Sequence, residues 1–184
     1  MSKQILIIST SPRKGGNSDA LAEAFARGAW EAGQQVEKIC LYDKTIGFCK
    51  GCLVCQKTQR CVIRDDADVI AQKMRIADTI VFATPVYYYG MCGQMKTLLD
   101  RANPLYSADY AFRDIYLLAA AAEAEESAVE GTVHGLEGWI SCFEKARLAG
   151  VVFGGGADAV GSIQGNPALQ KAYEMGKAVV QEGV

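Results

Sequence analysis

The sequence predicts an α/β protein, a three-layer doubly wound parallel sheet of five strands in the order 2-1-3-4-5. Two observations carry this expectation. Short β-branched apolar runs alternate along the chain with segments of helical periodicity, five of each. The connections are short, and right-handed crossovers then place helices on both faces of one sheet. The 184 residues, half of them apolar, suffice for one domain with a full core and no help from disulfides, so residues 1–184 read as a single unit.

The elements follow in order. KQILII (3–8) is a buried strand ending in the polar turn STSPRKGGN. SDALAEAFARGAWEAG then sets Leu21, Phe25, Ala29 and Trp30 at helical spacing, with Asn17 or Ser18 as the expected N-cap and Gly33 as the stop. QVEKICLYD (35–43) is the second strand, and the cysteine-rich stretch 48–61 follows it. In DDADVIAQKMRIAD (65–78) Asp65 or Asp66 caps a helix, which explains the carboxylate pair without catalysis. TIVFATP (79–85) is a strand buried on both faces. GQMKTLLDRA (93–102) is a helix on which Lys96 and Asp100 form a solvated pair. DIYLLAAAA (114–122) is the fourth strand, VHGLEGWISCFEKAR (133–147) a glycine-weakened helix, and LAGVVFGGG (148–156) the fifth strand. NPALQKAYEMGKAVVQEG (166–183) closes the chain with Leu169, Tyr173, Gly176 and Val180 on one stripe.

In such a sheet, ligands sit outside the carboxyl ends of strands 1 and 3, where the winding reverses. The loop after strand 1 lacks both G-x-G-x-x-G and G-K-[ST], and instead offers Ser9, Thr10, Ser11, Arg13, Asn17 and Ser18 at a helix start. Hydroxyls, amides and one cation suit a single phosphate monoester. A plain polar turn with a good cap is the competing reading. Across the crevice, TPVYYYGMCG presents three tyrosines able to lie against a planar ring, with Gly90 allowing close backbone approach. Core packing of alternate tyrosines is the alternative there. A phosphate cradle facing an aromatic platform matches a mononucleotide with a flat ring, and flavin mononucleotide (FMN) is the simplest such ligand.

STSPRKGGNS, the C-x2-C-x2-C-x5-C stretch running into VIRDDAD, and PVYYYGMCGQMKTLLDR together resemble the flavodoxin-like NAD(P)H-dependent FMN reductase family, most closely its iron–sulfur flavoprotein branch. The likeness covers roughly residues 3–102. It implies FMN with its phosphate on Ser9, Ser11, Arg13, Asn17 and Ser18, and its ring along Pro85, Val86, Tyr87, Tyr88, Tyr89 and Gly90. It also implies NAD(P)H as co-substrate and a homodimer or homotetramer with the flavin near a subunit boundary. A third flavin contact is expected from about 121–135, where no motif maps residue by residue.

Cys49, Cys52, Cys55 and Cys61 fall within thirteen residues. Structural zinc sites pair two separated C-x2-C knuckles, so one compact loop is a poor zinc match. The spacing also departs from the ferredoxin run, but it matches the compact motif of the iron–sulfur flavoproteins, which implies a 4Fe–4S cluster. Lys50, Lys57, Arg60 and Arg64 are near enough in sequence to offset its charge. A reversible thiol or disulfide role and plain packing of small apolar side chains remain open. Cys40, Cys92 and Cys142 read as structural, Cys142 within a helix.

No catalytic side chain is expected: His134, the only histidine, lies in a polar, glycine-flanked stretch, and a flavin carries its own chemistry. A net charge of −2 supplies no basic stripe for nucleic acid, and the apolar runs are too short for a signal sequence or membrane span, so a cytoplasmic protein is expected. The resulting expectation is an FMN oxidoreductase passing electrons from NAD(P)H to a quinone, flavin or redox protein. The alternative is an electron carrier between ferredoxin-like partners through a 4Fe–4S cluster and FMN.

Overall fold

The computed structural model describes residues 2–179. The expected continuation of the last helix through Val180 to residue 183 lies outside them. Alternation holds along the chain: β1 (Gln4–Ser9), α1 (Asn17–Glu31), β2 (Gln35–Cys40), α2 (Val54–Thr58), α3 (Asp66–Ile76), β3 (Thr79–Tyr87), β4 (Gly90–Met91), α4 (Gly93–Arg101), β5 (Asp114–Ala120), α5 (Glu130–Ile140), β6 (Arg147–Gly154) and α6 (Pro167–Lys177). The sheet order is β2-β1-β3-β5-β6, all parallel, which is the expected 2-1-3-4-5 winding. The switch point lies between β1 and β3, because β1 connects outward to β2 and the chain then returns past it.

Burial explains why the strands read as unbroken apolar runs. In β1, Ile5 and Ile7 pack with Leu21, Phe25, Val81 and Leu118 on one face, while Leu6 and Ile8 pack with Met74, Phe82, Leu98 and Leu117 on the other. Each such side chain contributes about 1.5–3 kcal/mol when fully buried. On the first face, α1 and α6 approach backbone to backbone: a Cβ on Gly28 would stand 2.0 Å from the Tyr173 carbonyl oxygen, and one on Gly176 2.1 Å from that of Phe25. The second face ends in an aromatic group in which Trp139 and Phe143 have ring centroids 4.6 Å apart.

Several boundaries differ from expectation, each for a local reason. The sheet has a sixth strand, the two-residue β4, which pairs antiparallel with the end of β3 (Val86 with Met91, Tyr87 with Gly90). The second strand stops at Cys40 and Leu41–Asp43 turn as a 3-10 helix. The helix expected over 133–147 is α5, Glu130–Ile140, preceded by a 3-10 turn at Glu126–Val129. Cys142 therefore lies beyond that helix, exposed, and is not a helical core residue. The first helix is capped by Gly16 with no side-chain cap bond, so neither Asn17 nor Ser18 is the N-cap. Asp65 is the cap of α3, its carboxylate accepting the Ala67 N–H, and Lys96 and Asp100 pair at 2.7 Å.

Candidate functional site

The loop after β1 is built to leave a helix N-terminus open. Ser11 Oγ accepts from Arg13 N and donates to the Arg13 carbonyl, both at 3.1 Å, coiling the loop on itself. Gly15 takes φ +64°, where glycine is favoured, and a Cβ on Gly16 would stand 2.6 Å from Ser11 Oγ and displace that hydroxyl from its turn. With no side chain capping it, α1 presents first-turn N–H groups and the positive end of its dipole. Just there, the Ser18 hydroxyl is 1% exposed and has no hydrogen-bond partner among the described residues. A buried hydroxyl without a partner is costly, and an anion at the helix start would satisfy it.

The opposite wall is the end of β3. Its parallel neighbour β5 stops at Ala120, opposite Pro85, so Val86 and Tyr87 run on past it. The two loops meet in a cavity of about 250 Å³ lined by Ser11, Arg13, Asn17, Ser18, Pro85, Val86 and Tyr87 among others. Ser9 does not join them: it is buried within β1. Tyr88, Tyr89 and Gly90 also stand apart, at the turn of the β3–β4 hairpin. Tyr88 and Tyr89 take φ of 49° and 62°, left-handed backbone that hairpin turns favour but tyrosine does not. A Cβ on Gly131 would lie 2.2 Å from the Tyr89 carbonyl oxygen, so α5 holds this turn through a glycine contact.

Two further walls had no motif to announce them. Ala121 and Ala122, at the start of the 121–135 stretch, line the cavity, as do Ala157, Asp158 and Val160 after β6. Asn17 holds the latter loop: its Nδ2 donates to the carbonyls of Ala157 and Ala159 at 3.1 and 2.8 Å, and its Oδ1 accepts from Gly161 N at 3.1 Å. Arg13 Nη1 donates to the Asp158 carbonyl at 3.1 Å. The Gly154–Gly155–Gly156 run after the last strand was the available sequence signal for that loop. Beneath the crevice, buried Cys92 caps α4, with its sulfur 3.2 Å from Thr10 Oγ1 and 3.4 Å from Thr84 Oγ1, tying the two loops together.

The cysteine loop forms a second cavity of about 490 Å³. Cys49, Cys52, Cys55 and Cys61 all line it, together with Leu99 and Asn103 at the end of α4, Trp139, Phe143 and the unexpected Cys142. Cys55 and Cys61 are buried, whereas Cys49 and Cys52 are exposed, and all are free thiols. Among the described residues, no three histidine, cysteine or carboxylate side chains are grouped to hold one metal ion. A sulfide-bridged cluster is larger than an ion and takes thiolates from around itself, so four thiols on one void suit it better than zinc. His134 is exposed on α5 and lines neither cavity.

Charge around this loop is tightly paired. Arg60 and Arg64 both bind Asp68, at 2.7 and 2.9 Å, and Asp68 also accepts from Cys61 N. These two arginines thus brace the loop through a buried carboxylate. Burial alone would raise the Asp68 pKa, but these hydrogen bonds outweigh it and hold the carboxyl below its usual value. Asp65 behaves likewise: burial opposes ionisation, and Arg101 with the Gly47 and Ala67 amides overcomes it.

The sequence matches the family model described as NADPH-dependent FMN reductase over residues 4–158. It is 31% identical over 169 residues to an iron–sulfur flavoprotein of Methanosarcina thermophila, covering 91% of this chain and 85% of that one. It is 40% identical over 102 residues to an iron–sulfur flavoprotein of Methanocaldococcus jannaschii, a match spanning 55% of this chain and only 53% of the relative. In fold it is similar to an NAD(P)H:quinone oxidoreductase from Methanothermobacter marburgensis, with a TM-score of 0.73 at 18% identity, covering 98% of this chain and 100% of that one.

Proposed function

The chain belongs to the NADPH-dependent FMN reductase family, in its iron–sulfur flavoprotein branch, and from that premise we propose that it is an FMN-containing oxidoreductase drawing on NAD(P)H and delivering electrons to a quinone, a flavin or a redox protein. The observation that carries the reading is the partnerless Ser18 hydroxyl at the uncapped start of α1, facing the same cavity as Arg13 and the end of β3. In this assignment Ser11, Arg13, Ser18 and the first-turn amides of α1 hold the phosphate. Asn17 acts one step back, fixing the 157–161 loop as a wall. Pro85, Val86 and Tyr87 orient the ring, and the tyrosine hairpin shields its approach. FMN supplies the hydride-accepting and electron-donating chemistry. No side chain is assigned as acid or base.

Ser9 and the hairpin residues Tyr88, Tyr89 and Gly90 become supporting residues in this assignment, since none lines the cavity. A single domain, assembled as a homodimer or homotetramer in the cytoplasm, fits the exposure of Phe48, Tyr88 and Tyr89 and the absence of disulfides among the described residues. No helix among the described residues is long and apolar enough to cross a membrane. Fluorescence titration of FMN into apoprotein tests the assignment. Saturable binding, weakened by inorganic phosphate, is expected; absence of saturable binding overturns it.

The second reading, an electron carrier with a 4Fe–4S cluster on Cys49, Cys52, Cys55 and Cys61, is favoured by the single cavity those four thiols share. Anaerobic reconstitution then yields about four iron and four sulfide per chain. A protein that takes up no iron rules out this reading while leaving the first intact.

A further inference from the structure

Both feet of the cysteine loop are gripped by the end of α4. Arg101, the last residue of that helix, has a side chain with no exposure, and its one guanidinium joins the two feet. Its Nη1 donates to the Gly47 carbonyl at 2.6 Å and to Asp65 Oδ2 at 2.7 Å, while its Nη2 donates to the Ile63 carbonyl at 3.0 Å and to Asp65 Oδ1 at 2.8 Å. Four of the five N–H donors of an arginine are thereby used. The remaining one, on Nε, is buried and has no acceptor among the described residues. Two residues on, Asn103 Nδ2 lies 3.1 Å from Cys55 Sγ. A deprotonated sulfur can only accept, so it selects the amide orientation that points the NH2 group toward it.

Of the two buried sulfurs, Cys55 and Cys61, Cys55 has a side-chain donor, Asn103, two residues beyond the end of α4. Cys49 and Cys52 are exposed, and the Cys49 sulfur meets the Gly51 backbone N–H at 3.4 Å. Asn103 offers an N–H to a buried sulfur, a low-dielectric setting in which such a bond is strong. Hydrogen bonds to ligand sulfurs withdraw electron density from an iron–sulfur cluster and favour its reduced form.

We propose that Asn103 is a positioning residue that donates a hydrogen bond to the Cys55 sulfur of a bound 4Fe–4S cluster and raises its reduction potential. This rests on the cluster reading given above. The test uses full-length protein reconstituted anaerobically with iron and sulfide, comparing wild type with Asn103→Leu, which removes the donor, and Asn103→Asp, which replaces it with an acceptor of similar shape. Iron content, FMN content and the cluster midpoint potential are measured on each. The expected result is unchanged FMN, about four iron per chain in all three, and a midpoint shifted negative in Asn103→Leu and further negative in Asn103→Asp. Full iron loading with the wild-type potential in both Asn103 variants overturns the inference and leaves the cluster in place. A wild type that takes up no iron overturns the cluster reading and the inference with it.

Discussion

Ser18 shows how a site can be marked by what a side chain lacks. Its hydroxyl is buried beside first-turn amides with nothing to bond among the described residues, so Ser18→Ala removes a polar atom that the apoprotein does not use. The variant should melt at or slightly above the wild-type temperature but bind FMN roughly 10- to 100-fold more weakly, the value of a hydrogen bond to a charged group of about 1.5–3 kcal/mol. Fluorescence titration and thermal melting measure the two effects separately. The tyrosine hairpin carries the opposite signature. Tyr88 and Tyr89 sit where an Asn-Gly pair is favoured, so the double substitution Tyr88→Asn with Tyr89→Gly should stabilise the fold by about 1 kcal/mol. The same change should weaken FMN retention, because the shielding rings are gone. At this scale the sequence was legible in part. Composition pointed to Ser11, Arg13, Asn17 and Ser18 alike, but it gave no sign of the bonds by which Asn17 holds residues 157–161. Cys142 lay outside any spacing pattern, since the turn after α5, not sequence proximity, brings it to the other thiols.

The elements were legible wherever burial on two faces imposed long apolar runs, and illegible where backbone strain or close packing decided the matter. No Asn-Gly or Asp-Gly marks the β3–β4 turn, so β4 could not be read from Tyr-Tyr. Likewise α2 is a five-residue helix with left-handed Leu53 and Gln59 at its two ends, a shape imposed by the loop around it. Gly176 was read only as part of the last helix's stripe, whereas Gly28 and Gly176 are the contact through which α1 and α6 touch. Gly28→Ala and Gly176→Ala would each drive a Cβ into a backbone carbonyl, and each should cost about 1–3 kcal/mol. Urea unfolding measures this, and an unchanged midpoint in both would contradict the packing described. Helix α4 joins the two sites: Cys92 caps it beneath the crevice, and Arg101 and Asn103 grip the cysteine loop at its far end, about 13 Å away along a nine-residue helix.

For the whole molecule, the cysteine loop is locked to α3 and α4 through carboxylates whose ionisation matters. Asp65 and Asp68 have folded pKa values below their unfolded ones, despite burial acting against this. Their contribution is therefore complete above the unfolded value of about 3.9 and is lost as pH falls through the folded values. Asp68→Asn should be less stable than wild type at pH 7 by about 1–2 kcal/mol, given that its arginine partners are exposed. The gap should narrow as pH falls below the unfolded value of about 3.9, which denaturant titrations at neutral and acid pH measure. At the other end of α4, one anaerobic spectrum reports directly on the flavin site. Purified protein loaded with FMN and mixed with NADPH or NADH under argon should lose its flavin absorbance, and should regain it when a quinone is added. Failure to retain FMN, or a bound flavin that neither nucleotide bleaches, would contradict the assignment of this chain as an NAD(P)H-dependent flavin oxidoreductase.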